Sequence, residues 1–291
     1  MKNLTNLEKA VIKVLNIKTE SDFKKITQYQ LDRHAEEIIS LLSTQDLIHH
    51  TMHVYDKTIG HFDNDPHITE GVVDELILFM DELNEGDFVY DIGCGNGRDT
   101  LFMATKSIKL RKKMMQRISQ GKKTIEKFPV PKKTLWVLAM DISEEMLKVA
   151  WQTINKYRKT MNYIPVSAWL DMHALKPYAE LFHGIWSCTS FLVHTPKELV
   201  EPSLKILSGL LKPNGKFGLS YIQEQSAGKY NRLILSSTGN IKYFSQPNPN
   251  FIRKIAQEYG LNEIFFRITD YEVKGKLVQK DFFANHIFEK K

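Results

Sequence analysis

Residues 88–100 read FVYDIGCGNGRDT, and this stretch decides the fold. An apolar run typical of a buried strand ends in Asp91, and glycines then occupy positions 93, 95 and 97 before a segment that favours a helix. Glycine adopts left-handed backbone conformations and lets a ligand approach the main chain closely. The pattern therefore predicts a strand, a sharp ligand-binding turn and a helix.

The glycine spacing and the preceding acid narrow the choice of ligand. A dinucleotide-binding fingerprint reads G-x-G-x-x-G, and a P-loop ends in Gly-Lys followed by Ser or Thr, so this loop matches neither pattern. The spacing therefore argues against a nicotinamide-dependent oxidoreductase. A carboxylate at Asp91 would also repel a phosphate group. The loop is typical of a site for a cationic nucleotide without phosphates.

Short apolar runs alternate with amphipathic segments along the rest of the chain. The runs predict seven strands, at residues 88–92, 135–141, 164–169, 184–188, 216–222, 263–269 and 282–288. The segments between them predict helices at 98–106, 143–161, 196–211 and 249–259. This alternation predicts an α/β protein with a mostly parallel sheet and helices on both faces. The last two strands are too close for a helix between them, which predicts an antiparallel hairpin.

The amino-terminal region has a different hydrophobic pattern. Residues 7–16 and 22–43 place apolar side chains three and four positions apart, which predicts helices. We expect a helical cap or extension over residues 1–70 and one α/β domain over residues 71–291.

The composition is that of an ordinary folded protein, with 42% hydrophobic and 25% charged residues. No apolar run approaches the roughly 20 residues that cross a bilayer, and the first residues lack the apolar stretch of a signal peptide. A cytoplasmic location without a transmembrane segment is therefore expected. Cys94 and Cys188 are too few for a disulfide framework.

Positive charge is concentrated in residues 106–133, which hold eleven Lys and Arg residues and one acid, whereas the whole chain has a net charge of +6. The segment lies between the first helix and the second strand of the domain, where it reads as an insert. Such a cluster could dock RNA or an anionic surface. The alternative is a solvated loop, since the segment lacks the interleaved aromatic residues of single-strand binders.

Five motifs extend the pattern: YDIGCGNG, LWVLAMDISEEMLKVA, VSAWLDMHAL, GIWSCTSFLVHTPKEL and LLKPNGKFGLSYIQEQ. From about Tyr55 to its end the chain resembles the class I S-adenosylmethionine-dependent methyltransferases, and within them a group of generic bacterial methyltransferase-domain proteins. The resemblance implies a Rossmann-like sheet, methyltransferase activity, S-adenosyl-L-methionine as cofactor and S-adenosyl-L-homocysteine as product.

The resemblance also implies roles for individual residues. Asp141 would accept the ribose hydroxyls, Asp171 would contact the adenine amino group, and Met172 would pack on the adenine ring. Tyr55 would belong to a lid, Cys94 would lie beneath the cofactor, and Trp186 would either wall the pocket or belong to the core. The predicted cofactor-binding set is Tyr55, Asp91, Gly93, Cys94, Gly95, Gly97, Asp141, Ile142, Asp171, Met172 and Trp186.

On the acceptor side, His194 is the leading candidate for a general base, because histidine titrates near neutrality and this one follows the fourth strand. The alternative is a histidine that caps the helix beginning near Pro196. Tyr221 is a second catalytic candidate. His49, His50 and His53 cluster without a complete ligand set, so no metal site is expected.

Three functions remain open at this point. The leading one is methyl transfer by in-line displacement to an O, N or S atom of a small soluble acceptor. A second is methylation of RNA or protein, docked through residues 106–133. A third is an S-adenosylmethionine-binding or interaction protein without catalysis, because His183 replaces the acid that usually opens the fourth motif.

Overall fold

The computed structural model describes residues 4–62, 73–118, 129–163, 165–169, 180–225, 229–236, 238–273 and 276–291. The helices are α1 (Asn6–Val14), α2 (Glu20–Phe23), α3 (Gln28–Ser40), α4 (Thr44–Phe62), α5 (Val73–Asp81), α6 (Arg98–Ala104), α7 (Ile108–Ile118), α8 (Glu144–Tyr157), α9 (Phe191–His194), α10 (Lys197–Leu210) and α11 (Pro249–Glu258). The strands are β1 (Phe88–Ile92), β2 (Trp136–Asp141), β3 (Val166–Trp169), β4 (Phe182–Cys188), β5 (Leu211–Ile222), β6 (Asn231–Leu235), β7 (Ile241–Ser245), β8 (Leu261–Val273) and β9 (Lys276–Lys290).

The main sheet has the strand order β3-β2-β1-β4-β5-β9-β8. The first five of these strands are parallel neighbours, whereas β9 runs antiparallel to both β5 and β8. The predicted Rossmann-like α/β fold, with its carboxyl-terminal antiparallel hairpin, is confirmed. Such an order brings the carboxyl ends of β1, β2 and β4 together, where open α/β sheets bind their ligands.

Apolar side chains cover both faces of this sheet. On one face Phe79 of α5 and Phe102 of α6 pack with Trp186 of β4. On the other face Leu204 of α10 and Ile252 of α11 pack against the strands. Burial on both faces explains why the strands read as nearly continuous apolar runs in the sequence.

The amino-terminal helices have a core of their own. Leu7 of α1 and Leu31 of α3 pack with Leu233 and Tyr243, which belong to the two-stranded sheet of β6 and β7. This second sheet was not predicted. A two-stranded hairpin is stable only when other elements cover it, and the helices that cover this one lie far away in the sequence. The predicted continuous helix over residues 22–43 is also interrupted, because Thr27 begins α3 with a capping box to Gln30.

The beginning of the basic segment is folded onto the domain as α7. Arg111 of this helix is fully buried. Its guanidinium donates hydrogen bonds to four backbone carbonyls, those of Phe102, Met103, Pro131 and Lys133. Arg111 is therefore a structural residue, and the solvated-loop alternative is wrong for this part of the segment. Among the described residues no helix has the length and apolar character needed to cross a membrane.

Candidate functional site

The glycine loop connects β1 to α6 in a conformation that needs glycine. Gly93, Gly95 and Gly97 have φ angles of 65°, 53° and 78°, in the left-handed region. A Cβ added at Gly93 would lie 2.3 Å from Cβ of Ser190, so this position also needs a small residue for packing. A Cβ at Gly95 would have no atom within 4 Å. The loop therefore presents its main chain at Gly95 to open space.

Asp141 ends β2 beside this loop. Its Oδ2 atom accepts a hydrogen bond from the Gly95 N–H at 2.9 Å, and its Oδ1 atom accepts one from the Ser143 N–H at 2.9 Å. Burial raises the pKa of Asp141 to about 6, against the opposing effect of backbone hydrogen bonds from Ser143, Gly95 and Ile142. A carboxylate has about four lone-pair positions, so Asp141 can accept further hydrogen bonds from a ligand.

Asp91 lies at the carboxyl end of β1 and is buried beneath the loop. The Thr100 hydroxyl donates a hydrogen bond to its Oδ2 atom at 2.5 Å. Burial, with the nearby charge of Asp99, raises the pKa of Asp91 to about 7. Asp91 and Asp141 thus form a pair of carboxyl groups whose charge is sensitive to pH near neutrality.

The α4 helix reaches this end of the sheet through two adjacent residues. The Ser143 hydroxyl donates to Oδ1 of Asp56 at 2.6 Å, which connects α4 to the end of β2. Tyr55 packs edge-on against His194, with ring centroids 5.3 Å apart. The ammonium group of Lys242 lies 5.3 Å from the centroid of the Tyr55 ring. Sequence reasoning included Tyr55 and His194 but missed Asp56 and Lys242, which no motif marks.

The hydrogen bonds of His194 fix its tautomer. Its Nδ1 atom lies 3.2 Å from the Tyr243 carbonyl oxygen, which only accepts, so Nδ1 carries the proton. The Tyr55 hydroxyl therefore donates to Nε2 at 2.8 Å. Burial, aided by the charge of Lys242, lowers the pKa of His194 to about 4. The capping alternative is not realised, because α10 has no side-chain cap at its beginning.

Tyr221 does not lie in the site, which corrects its prediction as a catalytic residue. The β5 strand continues to Ile222, so Tyr221 is within the strand and points into the core beside α10 and α11. It is 1% exposed, and its hydroxyl lies 2.9 Å from Nε2 of His286. The predicted strand over residues 216–222 already contained Tyr221, but the sequence did not show that its side chain lies on the face covered by α10 and α11.

Trp186 belongs to the core, which corrects its prediction as a wall of the cofactor pocket. Its side chain is 1% exposed, packs on Phe79 and donates from Nε1 to Oδ2 of Asp99 at 2.9 Å. Cys94 is buried with Ala139 and Ala150, and burial raises the pKa of its thiol. Asp171 and Met172, predicted to contact adenine, lie outside the described residues.

His183, the departure in the fourth motif, lies near the amino end of β4. Its Nδ1 atom accepts a hydrogen bond from the Phe88 N–H at 3.0 Å. This is the end of the sheet opposite the glycine loop. His183 therefore lies away from the carboxyl ends of the strands, where the candidate site is.

No protein-family model and no curated protein matches the chain. Solved structures do match. A methyltransferase from Burkholderia thailandensis that acts on 1,6-didemethyltoxoflavin has a TM-score of 0.56 at 13% identity, covering 86% of this chain and 91% of its own. An S-adenosylmethionine-dependent methyltransferase from Methanosarcina mazei has a TM-score of 0.54 at 14% identity, covering 73% and 96%. The chain has the Rossmann-like fold of the class I S-adenosylmethionine-dependent methyltransferases.

Proposed function

We propose that the protein is an S-adenosylmethionine-dependent methyltransferase that acts on a small acceptor molecule. The observation that carries this proposal is the arrangement of Asp141 against Gly95. A half-buried carboxylate with unused hydrogen-bonding capacity lies beside a main-chain surface that no side chain covers. Such an arrangement suits a nucleoside, whose ribose hydroxyls need acceptors and whose flat body needs close approach to the backbone.

The residues present fit this cofactor. Asp141 would accept the ribose hydroxyls, and the loop from Gly93 to Gly97 would contact the nucleoside. The buried carboxyl group of Asp91 would favour a ligand that carries positive charge. In this proposal Asp171 and Met172 hold the adenine. Bound S-adenosylmethionine would supply an electrophilic methyl group on a sulfonium, which needs alignment with the acceptor more than activation.

The cap residues would exclude water and hold the acceptor in place. Tyr55 and His194 bond to each other at the carboxyl end of the sheet, and Asp56 ties the same helix to Ser143. His194 was the candidate base, but its Nε2 atom already accepts the Tyr55 hydroxyl, and its lowered pKa makes it a weak base. We therefore assign His194 the role of positioning Tyr55.

Calorimetry tests the cofactor half of the proposal. Ligand-stripped protein is titrated with S-adenosylmethionine, S-adenosylhomocysteine and, separately, NAD. We expect saturable binding of the first two and none of NAD. Absence of binding by both adenosyl compounds would refute the proposed function, and preferential binding of NAD would favour an oxidoreductase.

Transfer of a labelled methyl group tests the catalytic half. Protein and labelled cofactor are incubated with a small-molecule extract and, in parallel, with an RNA fraction and a protein fraction. We expect label in the small-molecule extract. Tight cofactor binding without transfer to any fraction would favour a binding protein without catalysis.

A macromolecular acceptor is the second candidate, and one observation favours it. Lys109, Lys112 and Lys113 are exposed along α7, so part of the predicted basic surface is accessible. Replacement of these three lysines by alanine leaves the buried Arg111 in place and so preserves the fold. If RNA or protein is the acceptor, the triple variant should lose transfer. For a small acceptor its activity should equal that of the parent.

A further inference from the structure

A row of polar side chains crosses the main sheet near the carboxyl ends of β4 and β5. Its members are neighbours in the strand register, namely Cys188, Ser220, Asn285 and Arg267. The row faces α5, because a Cβ on Gly218, two residues before Ser220, would contact Phe79 of that helix. The next row of side chains on the same face, two residues toward the amino end of β4, is apolar and includes Trp186 and Ile287 of the core.

Each end of the row is fixed by an arginine. At one end Arg98, in the first turn of α6, donates to the Cys188 sulfur at 3.3 Å and pairs with Asp99. At the other end the Nε atom of Arg267 donates to Oε1 of Glu75 at 3.0 Å. The row therefore runs from the helix that follows the glycine loop to the first turn of α5.

Two buried atoms of this row, and one of Glu75 beside it, have no hydrogen-bond partner among the described residues. They are Oγ of Ser220, Oδ1 of Asn285 and Oε2 of Glu75. The three side chains are 2%, 1% and 2% exposed. Buried polar atoms without partners cost free energy, so each of these atoms needs a partner from beyond the described residues, and a bound ligand would supply one. A fold that needed only a core could place apolar residues here.

The orientation of Asn285 is settled by its other contacts. Its Nδ2 atom donates to the Arg267 carbonyl oxygen at 3.2 Å and to the Thr269 hydroxyl oxygen at 3.1 Å. The amide oxygen is therefore the atom that faces the row. Two of the three unpartnered atoms, on Asn285 and Glu75, are oxygens that accept hydrogen bonds, and the Ser220 hydroxyl can also accept.

The charged groups around the row also favour a ligand that donates hydrogen bonds. Asp74, Glu75 and Asp99 supply three carboxyl groups against the two guanidinium groups of Arg98 and Arg267. Both guanidinium groups already lie against carboxylates, so the row does not offer them to an anion. The surplus of acceptor atoms suits a ligand with N–H groups.

We propose that Ser220, Asn285 and Glu75 bind the acceptor molecule, and that this molecule is a small amine whose N–H groups donate to these three side chains. This inference rests on the proposed methyltransferase function, because it assigns the acceptor side of the same site. The row begins beside the glycine loop, so an amine bound along it lies next to the carboxyl end of β4.

Ser220→Ala tests the inference against a matched control, Ser208→Ala. The Ser208 hydroxyl is also buried, but it donates to the Tyr259 carbonyl oxygen at 2.7 Å. Ser220→Ala removes a hydroxyl that has no partner in the part of the chain that the structure describes, so the melting temperature of the variant should equal or exceed that of the parent. Ser208→Ala should lower the melting temperature without changing transfer. If the role of Ser220 were purely structural, Ser220→Ala would instead lower the melting temperature and leave methyl transfer unchanged.

The activity readout uses a small-molecule extract divided by ion exchange into cationic, neutral and anionic fractions. We expect labelled methyl transfer into the cationic fraction. Ser220→Ala should raise the KM for the labelled amine roughly tenfold, as the loss of one hydrogen bond predicts. Glu75→Gln should raise it at least as much, because Gln can keep an oxygen toward Arg267 while it presents an N–H group in place of Oε2.

Transfer into the anionic or neutral fraction alone, or an unchanged KM in both variants, would overturn the inference. Calorimetry with S-adenosylhomocysteine on the same proteins separates the two proposals. Normal cofactor binding together with those outcomes would refute only the amine site. Failure of the parent protein to bind the cofactor would refute the proposed function itself.

Discussion

The Tyr55 hydroxyl donates to Nε2 of His194 across 2.8 Å, while Nδ1 of the same ring donates to the Tyr243 carbonyl oxygen. The three residues belong to α4, α9 and β7, so a single imidazole ring connects the amino-terminal helices, the main domain and the small second sheet. The connection lies at the carboxyl end of the main sheet, where it can close the proposed site.

We expect Tyr55→Phe to lower the free energy of unfolding by about 1–2 kcal/mol, because it leaves Nε2 of His194 half-buried without a donor. His194→Ala should cost a similar amount. In the double variant the two effects should fall short of additivity by about 1 kcal/mol, measured by urea unfolding. Simple additivity would mean that the hydrogen bond contributes nothing to stability.

Asp141→Asn should weaken the binding of S-adenosylhomocysteine by about 10- to 100-fold, as the loss of one or two hydrogen bonds predicts. The asparagine amide would place an N–H group against the N–H of either Gly95 or Ser143, where the carboxylate now accepts from both. Calorimetry measures the change. Asp270→Asn is the control, because Asp270 accepts a hydrogen bond from the Asp281 N–H in the β8–β9 hairpin. This variant should bind the cofactor as tightly as the parent protein.

Cofactor binding should weaken as the pH falls. The pKa values of Asp91 and Asp141 are raised to about 7 and about 6, so both carboxyl groups gain protons between roughly pH 8 and pH 6. Protonation removes the charge that favours a sulfonium and one acceptor for the ribose. Affinity for S-adenosylmethionine should fall by up to roughly tenfold over this range through Asp91 alone.

The stability of the ligand-free protein should respond to these two groups with the opposite sign. A raised pKa in the folded state gives stability that is fully present below the unfolded pKa of 3.8 and is lost progressively as the pH rises to about 6 to 7. Asp91→Asn should therefore flatten both pH profiles, measured by calorimetry and by urea unfolding. S-adenosylhomocysteine, whose sulfur is uncharged, should show the weaker pH dependence of the two ligands, and equal dependence would exclude an effect of Asp91 on the sulfonium.

Arg111→Met should lower the free energy of unfolding by at least about 3 kcal/mol, because four buried backbone carbonyls lose their donor. Lys112→Ala is the matched control. This neighbour is exposed on the same helix, and its loss should change stability by no more than about 0.5 kcal/mol. Equal effects in urea unfolding would contradict a structural role for Arg111.

Tyr221→Phe separates the structural role of Tyr221 from the catalytic one first predicted for it. The variant should lose about 1 kcal/mol of stability, since the Tyr221 hydroxyl no longer meets His286 in the core. Cofactor binding and methyl transfer should remain at the parent level. A large loss of transfer at unchanged stability would restore Tyr221 as a catalytic residue.

The parts of the site that the sequence predicted are local in the chain. Gly93, Gly95 and Gly97 follow their strand directly, and Asp141 ends the next strand, where the family resemblance placed the acid that accepts the ribose hydroxyls. The fold class followed from the same alternation of strands and helices. The predicted strand over residues 216–222 contained Tyr221 and ended correctly at Ile222, but the sequence did not show which face of the sheet its side chain takes.

The parts that could not be predicted depend on distant segments. Ser220 and Asn285 become neighbours only through the pairing of β5 with β9, and Arg267 joins them through β8. Lys242 reaches Tyr55 only because β6 and β7 pack on the amino-terminal helices. No spacing rule connects these positions, since the register of a sheet is set by its whole hydrophobic pattern.

The core shared by Leu7, Leu31, Leu233 and Tyr243 has a consequence for synthesis of the chain on the ribosome. The first helices emerge roughly 200 residues before the strands that cover them, which at typical elongation rates is a delay of roughly 10 to 40 s. During that interval the helices can pack on one another, but the apolar surface that β6 and β7 cover has no native neighbour to bury it. The nascent amino terminus is therefore a natural client for chaperones, and the cap is completed late, after most of the main sheet has left the exit tunnel.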